Sequence, residues 1–298
     1  MPIRHVVLDF DGTCTQVEVA QRAYLDGYHR LLQAEVYADA ENRWESAIAD
    51  VTALSPDLGW MLSGAAPSAP AAADPYILSA EAAKRVLIAA GREPVVPSTI
   101  HARAYEAAEA PWRDETRDVL EGLSAAGVSV CFISNSSTTK IARRLDALLG
   151  PDTPLRRSLL VRGDAAKYSI REAPLARDAS AIPIIDSLRA MFDGLAPGER
   201  APGLARPIYL RRGGYFEALC RVWNGDPSAP AATLVCGDVW ELDLAMPAAL
   251  GCQVHMIRRR PPHETYEYER QAMMAVGARG GVSDDLVRVL DRVRESRG

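Results

Sequence analysis

Five short apolar, β-rich runs recur along this chain, at 3–8, 128–133, 159–161, 233–236 and 252–257, and helical periodicity lies between most of them. Buried strands alternating with helices predict an α/β fold: a three-layer, Rossmann-like, mainly parallel sheet with helices on both sides. In open parallel sheets ligands bind beyond the carboxyl ends of the strands. The residues that follow each run are therefore the first place to look for chemistry.

Between the first run and the second lies a long block with no strand of its own. Val17, Ala20, Tyr24, Tyr28 and Leu31 recur at spacings of three and four, predicting a helix over about 17–36. Further helices are expected near 40–54 and 79–90, the last broken by Pro94 and Pro97. The Ala/Pro-rich stretch 64–75 reads as a mobile loop. The chain thus divides into a core, 1–14 and 112–298, and an inserted helical block, 15–111. In the core, helices are expected at 114–126, after a cap at Thr138 or Thr139, at 214–223, and at the end of the chain after a cap at Ser283. Residues 173–207, rich in Pro, Gly and Ala, read as an insertion around one short helix at 182–192.

A chain of 298 residues gives a prior of about two domains. With 48% hydrophobic and 24% charged residues, it is not a disordered chain. The net charge is −5 and the basic residues are scattered, which argues against a nucleic-acid partner. No apolar stretch reaches membrane-spanning length, and the apolar opening is too brief for a signal peptide. Five cysteines with no C-x-x-C spacing predict reduced, mostly core thiols and a cytoplasmic setting. Oligomeric state is left open.

Four sequence features carry chemistry. The first run ends in Asp9-Phe10-Asp11-Gly12-Thr13. One Asp-Gly pair is an ordinary turn, but two carboxylates at i and i+2 repel each other unless a cation or a proton is shared. The second run ends in Ser134-Asn135-Ser136-Ser137 before a helix. That is either an anion site at a helix N-terminus or simply a set of helix caps. The fourth run ends in Gly237-Asp238, with Asp243 five residues on. Asp238 alone reads as an N-cap; with Asp243, Asp9 and Asp11 it could complete a hard oxygen site suited to Mg²⁺. Finally, only three of the 34 basic residues are lysines, and Lys167 follows the third run. A compact ammonium there could neutralise phosphate and carboxylate together; Arg211 or Arg212 could supply the charge instead, and a surface lysine is the plain alternative.

In this order, each at a strand end, Asp9/Asp11, Ser134, Lys167 and Asp238/Asp243 resemble the haloacid dehalogenase (HAD) superfamily. The resemblance covers about 1–14 and 112–257, and the helical block resembles that family's C1-type cap. The chain departs from the pattern after Lys167, where Tyr168 and some 35 extra residues precede the next helix. The resemblance implies a small phosphorylated substrate, Mg²⁺, and phosphoryl transfer through an aspartyl-phosphate. Asp9 would be the nucleophile, and Asp11 the acid for the leaving oxygen and then the base for water. Asp9, the backbone carbonyl of Asp11, Asp238 and Asp243 would hold the metal directly or through water. Gly12, Ser134 and Asn135 would bind the phosphoryl oxygens. The dehalogenase branch lacks the second acid, so Asp11 favours a phosphatase. A sugar phosphomutase and a non-catalytic binding protein on the same fold are the alternatives. The five histidines show no paired ligand spacing, and Trp44, Trp60, Tyr24, Tyr28 and Tyr105 read as the core of the helical block, with one or two facing substrate.

Overall fold

In the computed structural model, residues 1–62, 66–173 and 185–298 are described. The helical block is built from α1 (Val17–Glu35), α2 (Glu41–Leu54), α3 (Pro75–Ala89) and α4 (Ser98–Ala107). Its own core joins Tyr24, Tyr28, Trp44, Val51, Leu78 and Ile100. Two of these helices differ from expectation. α3 begins at Pro75 rather than Ser79, because Asp74 accepts the Ile77 amide at 2.7 Å and Pro75 occupies the first helical position. α4 was not expected at all; Pro97 precedes it and so opens a helix as well as ending a pattern.

The described part of the stretch expected to be mobile, 66–74, is packed instead. Trp60 and Ser68 donate to Ala69 and Trp60 carbonyls at 2.7 and 2.9 Å, and Ala71 donates to Leu58 at 2.9 Å. Ser68, Ala69, Ala71 and Ala73 are buried. Small side chains let this backbone lie flat against its surroundings, and satisfied backbone groups under cover hold a segment still.

The core contains α5 (Thr116–Ala125), α6 (Thr138–Leu149), α7 (Pro154–Ser158), α8 (Asp186–Asp193), α9 (Gly213–Trp223), α10 (Ala245–Ala249), α11 (Glu267–Ala275) and α12 (Val287–Glu295). The α6 cap is Ser137, one residue before the expected threonines; its hydroxyl accepts the Lys140 amide at 3.2 Å. α8 covers most of the short helix expected in the insertion, while 174–184, including the expected start at 182, lies outside the described residues. Leu188 and Phe192 anchor α8 in the core, Phe192 lying 4.6 Å from the Phe216 ring centroid.

All five expected strands form: β1 (His5–Leu8), β2 (Ser129–Ile133), β3 (Leu160–Arg162), β4 (Thr233–Gly237) and β5 (Gln253–Ile257). A sixth, β6 (Gly280–Ser283), was missed because Gly-Gly-Val-Ser has little strand propensity; pairing with β5 along the sheet edge supplies what propensity lacks. Ser283, expected as a helix cap, therefore ends this strand. Its hydroxyl donates to Asp285 at 2.6 Å and lies 2.8 Å from His255 Nε2, and α12 starts four residues later.

The sheet is wholly parallel, ordered β3-β2-β1-β4-β5-β6. Side chains alternate across it. Val6, Leu8, Val130, Phe132, Leu234 and Cys236 meet α5, α6 and α12 on one face. Val7, Cys131, Ile133, Val235, Val254 and Met256 meet α9 and its neighbours on the other. Covering both faces is what makes the runs apolar on successive residues. β1 lies between β2 and β4, so the chain switches direction across the sheet there, and a crevice opens at the carboxyl ends of β1 and β4. All five cysteines are buried and free. Among the described residues no helix is long and apolar enough to cross a membrane.

Candidate active site

Asp9 is the first residue past β1. Its amide continues the ladder to Cys236 at 2.9 Å, which fixes its backbone level with the end of β4. The chain then turns through Gly12, whose φ of +78° favours glycine. A Cβ at Gly12 would lie 2.3 Å from Asp238 Oδ2, so any side chain there would displace Asp238. Arg113, buried just past the helical block, pins the turn by donating to the Gly12 and Thr13 carbonyls at 2.8 and 2.9 Å.

Asp238 does not cap a helix. Val239 precedes a single π-helical turn, Trp240–Leu244, that folds Asp243 back over the strand end. Such turns recur at functional sites because they re-aim a side chain. Asp243 Oδ2 accepts the Val239 amide at 3.0 Å, and Gly237 makes room, since a Cβ there would lie 2.2 Å from Asp243 Cβ. A buried Arg259–Glu269 pair buttresses the loop from behind: Arg259 donates to the Asp238 carbonyl, and Glu269 accepts the Trp240 amide at 3.0 Å.

Lys167 completes the centre. It is 1% exposed, and its Nζ lies 2.6 Å from Asp9 Oδ1 and 2.8 Å from Asp243 Oδ1. The loop that delivers it is strained, with Asp164 at φ +54° and Ala166 at φ +47°, conformations that cost a residue with a Cβ energy. Ala165 donates to the Ser134 carbonyl at 3.0 Å and Lys167 N–H to Asn135 Oδ1 at 2.8 Å. Asn135 thus spends its side-chain oxygen on positioning Lys167. The arginine alternatives are placed elsewhere. Arg211 bonds Glu172 and the Asp193 and Leu195 carbonyls, and Arg212 is buried against the backbone carbonyls of Lys167, Ser68 and Tyr209.

Asp9, Asp238 and Asp243 bring one ligand oxygen each within 4.8 Å of one another, all three buried. Burial pushes Asp9 up to about 7, with Lys167 opposing and Asp243 adding to the shift. Asp238 is held well above the ordinary carboxylate range by burial, then by Asp243 and Asp9. Burial alone would depress Lys167, but the Asp243 and Asp9 charges outweigh it and raise its pKa overall. Three buried carboxylates against one ammonium leave a deficit of positive charge. A divalent cation with a preference for hard oxygen ligands fits this donor set. Lys167 occupies Oδ1 of Asp9, and among the described residues the Asp238 carboxylate meets only the Thr13 hydroxyl, at 3.3 Å, so Asp9 Oδ2 and the Asp238 carboxylate are the oxygens left for an ion.

Asp11 turns away from this cluster, toward the helical block. Tyr105 on α4 donates to its carboxylate, with 2.6 Å to each oxygen, and Ser136 Oγ lies 2.5 Å from Oδ2. Ser134 is buried, its Oγ accepting the Ser136 amide at 3.3 Å. The helical block thus touches the core at the second acid. From sequence Tyr105 is one of five aromatics read as the block's core, with one or two facing substrate; its bond to Asp11 is a role the spacing does not show. Of the others, Tyr24, Tyr28 and Trp44 do fill the block's core, while Trp60 packs on Tyr168 at 5.6 Å.

The family model for haloacid dehalogenase-like hydrolases matches residues 3–173. Among solved structures, YfnB from Bacillus subtilis, a magnesium-bound chain assigned to the HAD hydrolases, aligns at 11% identity over 99% of this chain and 100% of its own, TM-score 0.50. A predicted phosphoglycolate phosphatase from Haemophilus somnus aligns at 13% identity over 97% of each chain, TM-score 0.50. L-2-haloacid dehalogenase from Xanthobacter autotrophicus aligns at 15% identity over 98% of each, TM-score 0.45. At these identities the likeness is one of fold. No curated protein sequence matches the chain.

Proposed function

Because the chain belongs to the haloacid dehalogenase-like hydrolases, we propose that this hydrolase is a Mg²⁺-dependent phosphatase acting on a small phosphorylated metabolite through a phosphoryl group carried on Asp9. The observation that carries this reading is a second acid, Asp11, two residues past the Asp9 of the buried acidic cluster, facing the helical block and bonded to Tyr105 and Ser136. Displacing a halide needs no proton on the leaving group and no cation beside the nucleophile. Displacing an alkoxide from a phosphate needs both.

Asp9 attacks phosphorus in line. The bond from phosphorus to the leaving oxygen breaks, and Asp11 gives that oxygen its proton. Asp11, now a carboxylate, then takes a proton from water as the water attacks phosphorus. Phosphate leaves and the Asp9 carboxylate is restored. Lys167 holds Asp9 in place and offsets its charge, and Asp243 holds Lys167. Ser134 and the Gly12 amide bind the phosphoryl oxygens. Asp9, the Asp11 carbonyl and Asp238 would hold Mg²⁺, with Asp243 behind them; when bound, the ion offsets the repulsion between carboxylate and phosphate.

Residues 15–111 act as the cap of the C1 type. Its two connections to the core meet at one point, where Gln16 donates to the Pro111 carbonyl at 2.8 Å and Thr15 bridges Trp112. Selection of substrate falls to the cap face around Tyr105.

The test is hydrolysis of p-nitrophenyl phosphate with Mg²⁺ and after chelation. The expected result is phosphate release with the ion and none after its removal, recovered on adding it back. Turnover unaffected by chelation would remove the metal from the account, and no turnover with any divalent ion would favour a binding protein. Formation of an isomer from a sugar phosphate, with no free phosphate, would favour the mutase.

A further inference from the structure

Lys140 differs from the other two lysines in having no carboxylate bonded to it. Lys84 reaches Glu81 at 2.6 Å and Lys167 reaches Asp9 and Asp243, whereas Lys140 Nζ is shielded from solvent with no hydrogen-bond partner among the described residues. It rests 2.9 Å from the centroid of the Tyr105 ring. Contact with a ring face attracts an ammonium but leaves its three N–H donors unmade.

Its position is adverse on two further counts. It is the third residue of α6, where the positive end of the helix disfavours a cation, and no acid occupies that first turn. Burial pushes its ammonium down to about 8. The acids that act on it are already engaged: Asp11 by Tyr105 and Ser136, and Glu109 by Arg143 and Arg144.

A second unmade donor belongs to a residue packed on the same ring. The Tyr76 hydroxyl is buried without a partner among the described residues, and its ring meets Tyr105 edge-on at 4.8 Å. Both idle donors thus belong to side chains packed on Tyr105, the residue bonded to the group assigned to protonate the leaving oxygen. Buried donors without acceptors are costly, and a charged one most of all.

We propose that Lys140 and Tyr76 form a subsite for a carboxylate on the leaving alcohol, so that the substrate is a phosphorylated hydroxy acid. This rests on the phosphatase reading above. One ammonium and one phenol match a carboxylate's single charge; a second phosphate would set two negative charges against one cation.

The test compares phosphoglycolate with ethyl phosphate, which carries a methyl group in place of the carboxylate. Wild type should favour phosphoglycolate in kcat/KM by about tenfold to a hundredfold. Lys140→Met should bring that ratio to near one, Lys140→Arg should retain most of it, and Tyr76→Phe should remove a smaller part. Equal rates on the two esters in wild type, or an unchanged ratio in Lys140→Met, would overturn the subsite. Preference for ethylene bisphosphate over phosphoglycolate would overturn its assignment to a carboxylate. Failure on both esters and on p-nitrophenyl phosphate as well would sink the phosphatase reading and the subsite with it; if wild type hydrolyses p-nitrophenyl phosphate but neither of these two, binding alone reads the subsite. A larger thermal shift with phosphoglycolate than with ethyl phosphate, lost in Lys140→Met, would then sustain it, and equal shifts would overturn it.

Discussion

Asp9→Asn should lower phosphate release at least a thousandfold, as removal of a covalent nucleophile does on an order-of-magnitude basis, while leaving the folded structure in place. The side chain is nearly isosteric, and the backbone at this position is held by the β-ladder through the Cys236 carbonyl. Asn also removes one of three crowded acids, and burial already pushes Asp9 up to about 7. The melting temperature of the metal-free variant should therefore stay near that of wild type. Loss of activity together with loss of fold would leave Asp9 a structural acid, and retained activity would move the nucleophile elsewhere. Rate and thermal melt measured on one preparation separate these results.

The second large effect belongs to Lys167. It is sealed between Asp9 and Asp243, so Lys167→Met leaves two buried carboxylates facing each other without their cation. Breaking a buried pair from one side costs on the order of 3–5 kcal/mol, and hydrolysis should fall strongly as well. The sign with pH is fixed by the direction of the shifts. Lys167 is raised above its ordinary value, so its contribution is intact throughout the neutral range and is lost only at high pH. Asp9 is also raised, so the folded state holds its proton more tightly than the unfolded chain, and that contribution falls as pH rises through about 7. Without the ammonium this dependence steepens. Lys167→Met should be less destabilised at about pH 5 than at about pH 8, and Mg²⁺ should recover part of the loss. Urea melts at the two pH values read this directly. Arg212→Met serves as the comparison, because Arg212 touches only carbonyl oxygens, that of Lys167 among them. A strong loss of hydrolysis in Arg212→Met with none in Lys167→Met would contradict the assignment.

The strand ends were readable from sequence because burial on both faces makes each strand an uninterrupted apolar run, and the change to Asp9, Ser134 or Asp238 marks where cover stops. The alternation of runs with helices carried the parallel sheet, while the strand order β3-β2-β1-β4-β5-β6 was not readable from it. What escaped sequence reading was set by tertiary contact. β6 has almost no propensity and exists because β5 offers it an edge. Ser137 took the cap from Thr138 by a one-residue shift that periodicity does not resolve. The 66–74 segment looked loose because alanine and proline carry no pattern, yet small side chains are what let it pack.

The largest omission concerns Asp11. Its partner Tyr105 lies on α4, a helix of ten residues that two prolines obscured. Nothing in the spacing of Tyr105 separates it from Tyr24 or Tyr28, which fill the block's interior. Only the docking of the helical block on the core turns one of these phenols toward the acid. Lys140 is one of only three lysines, but nothing in the sequence marks it as lacking a carboxylate, because that depends on which acids the fold brings near and which are already engaged.

The central claim is that the oxygen aimed at substrate belongs to Asp9. During steady turnover of a phosphate ester with Mg²⁺, samples are quenched in acid within milliseconds, digested and weighed by mass spectrometry. The account predicts one added phosphoryl group on the peptide containing Asp9, absent in Asp9→Asn and gone when substrate is exhausted. Phosphate released at the normal rate with that peptide unmodified throughout, or with the phosphoryl group on a different peptide, would contradict it.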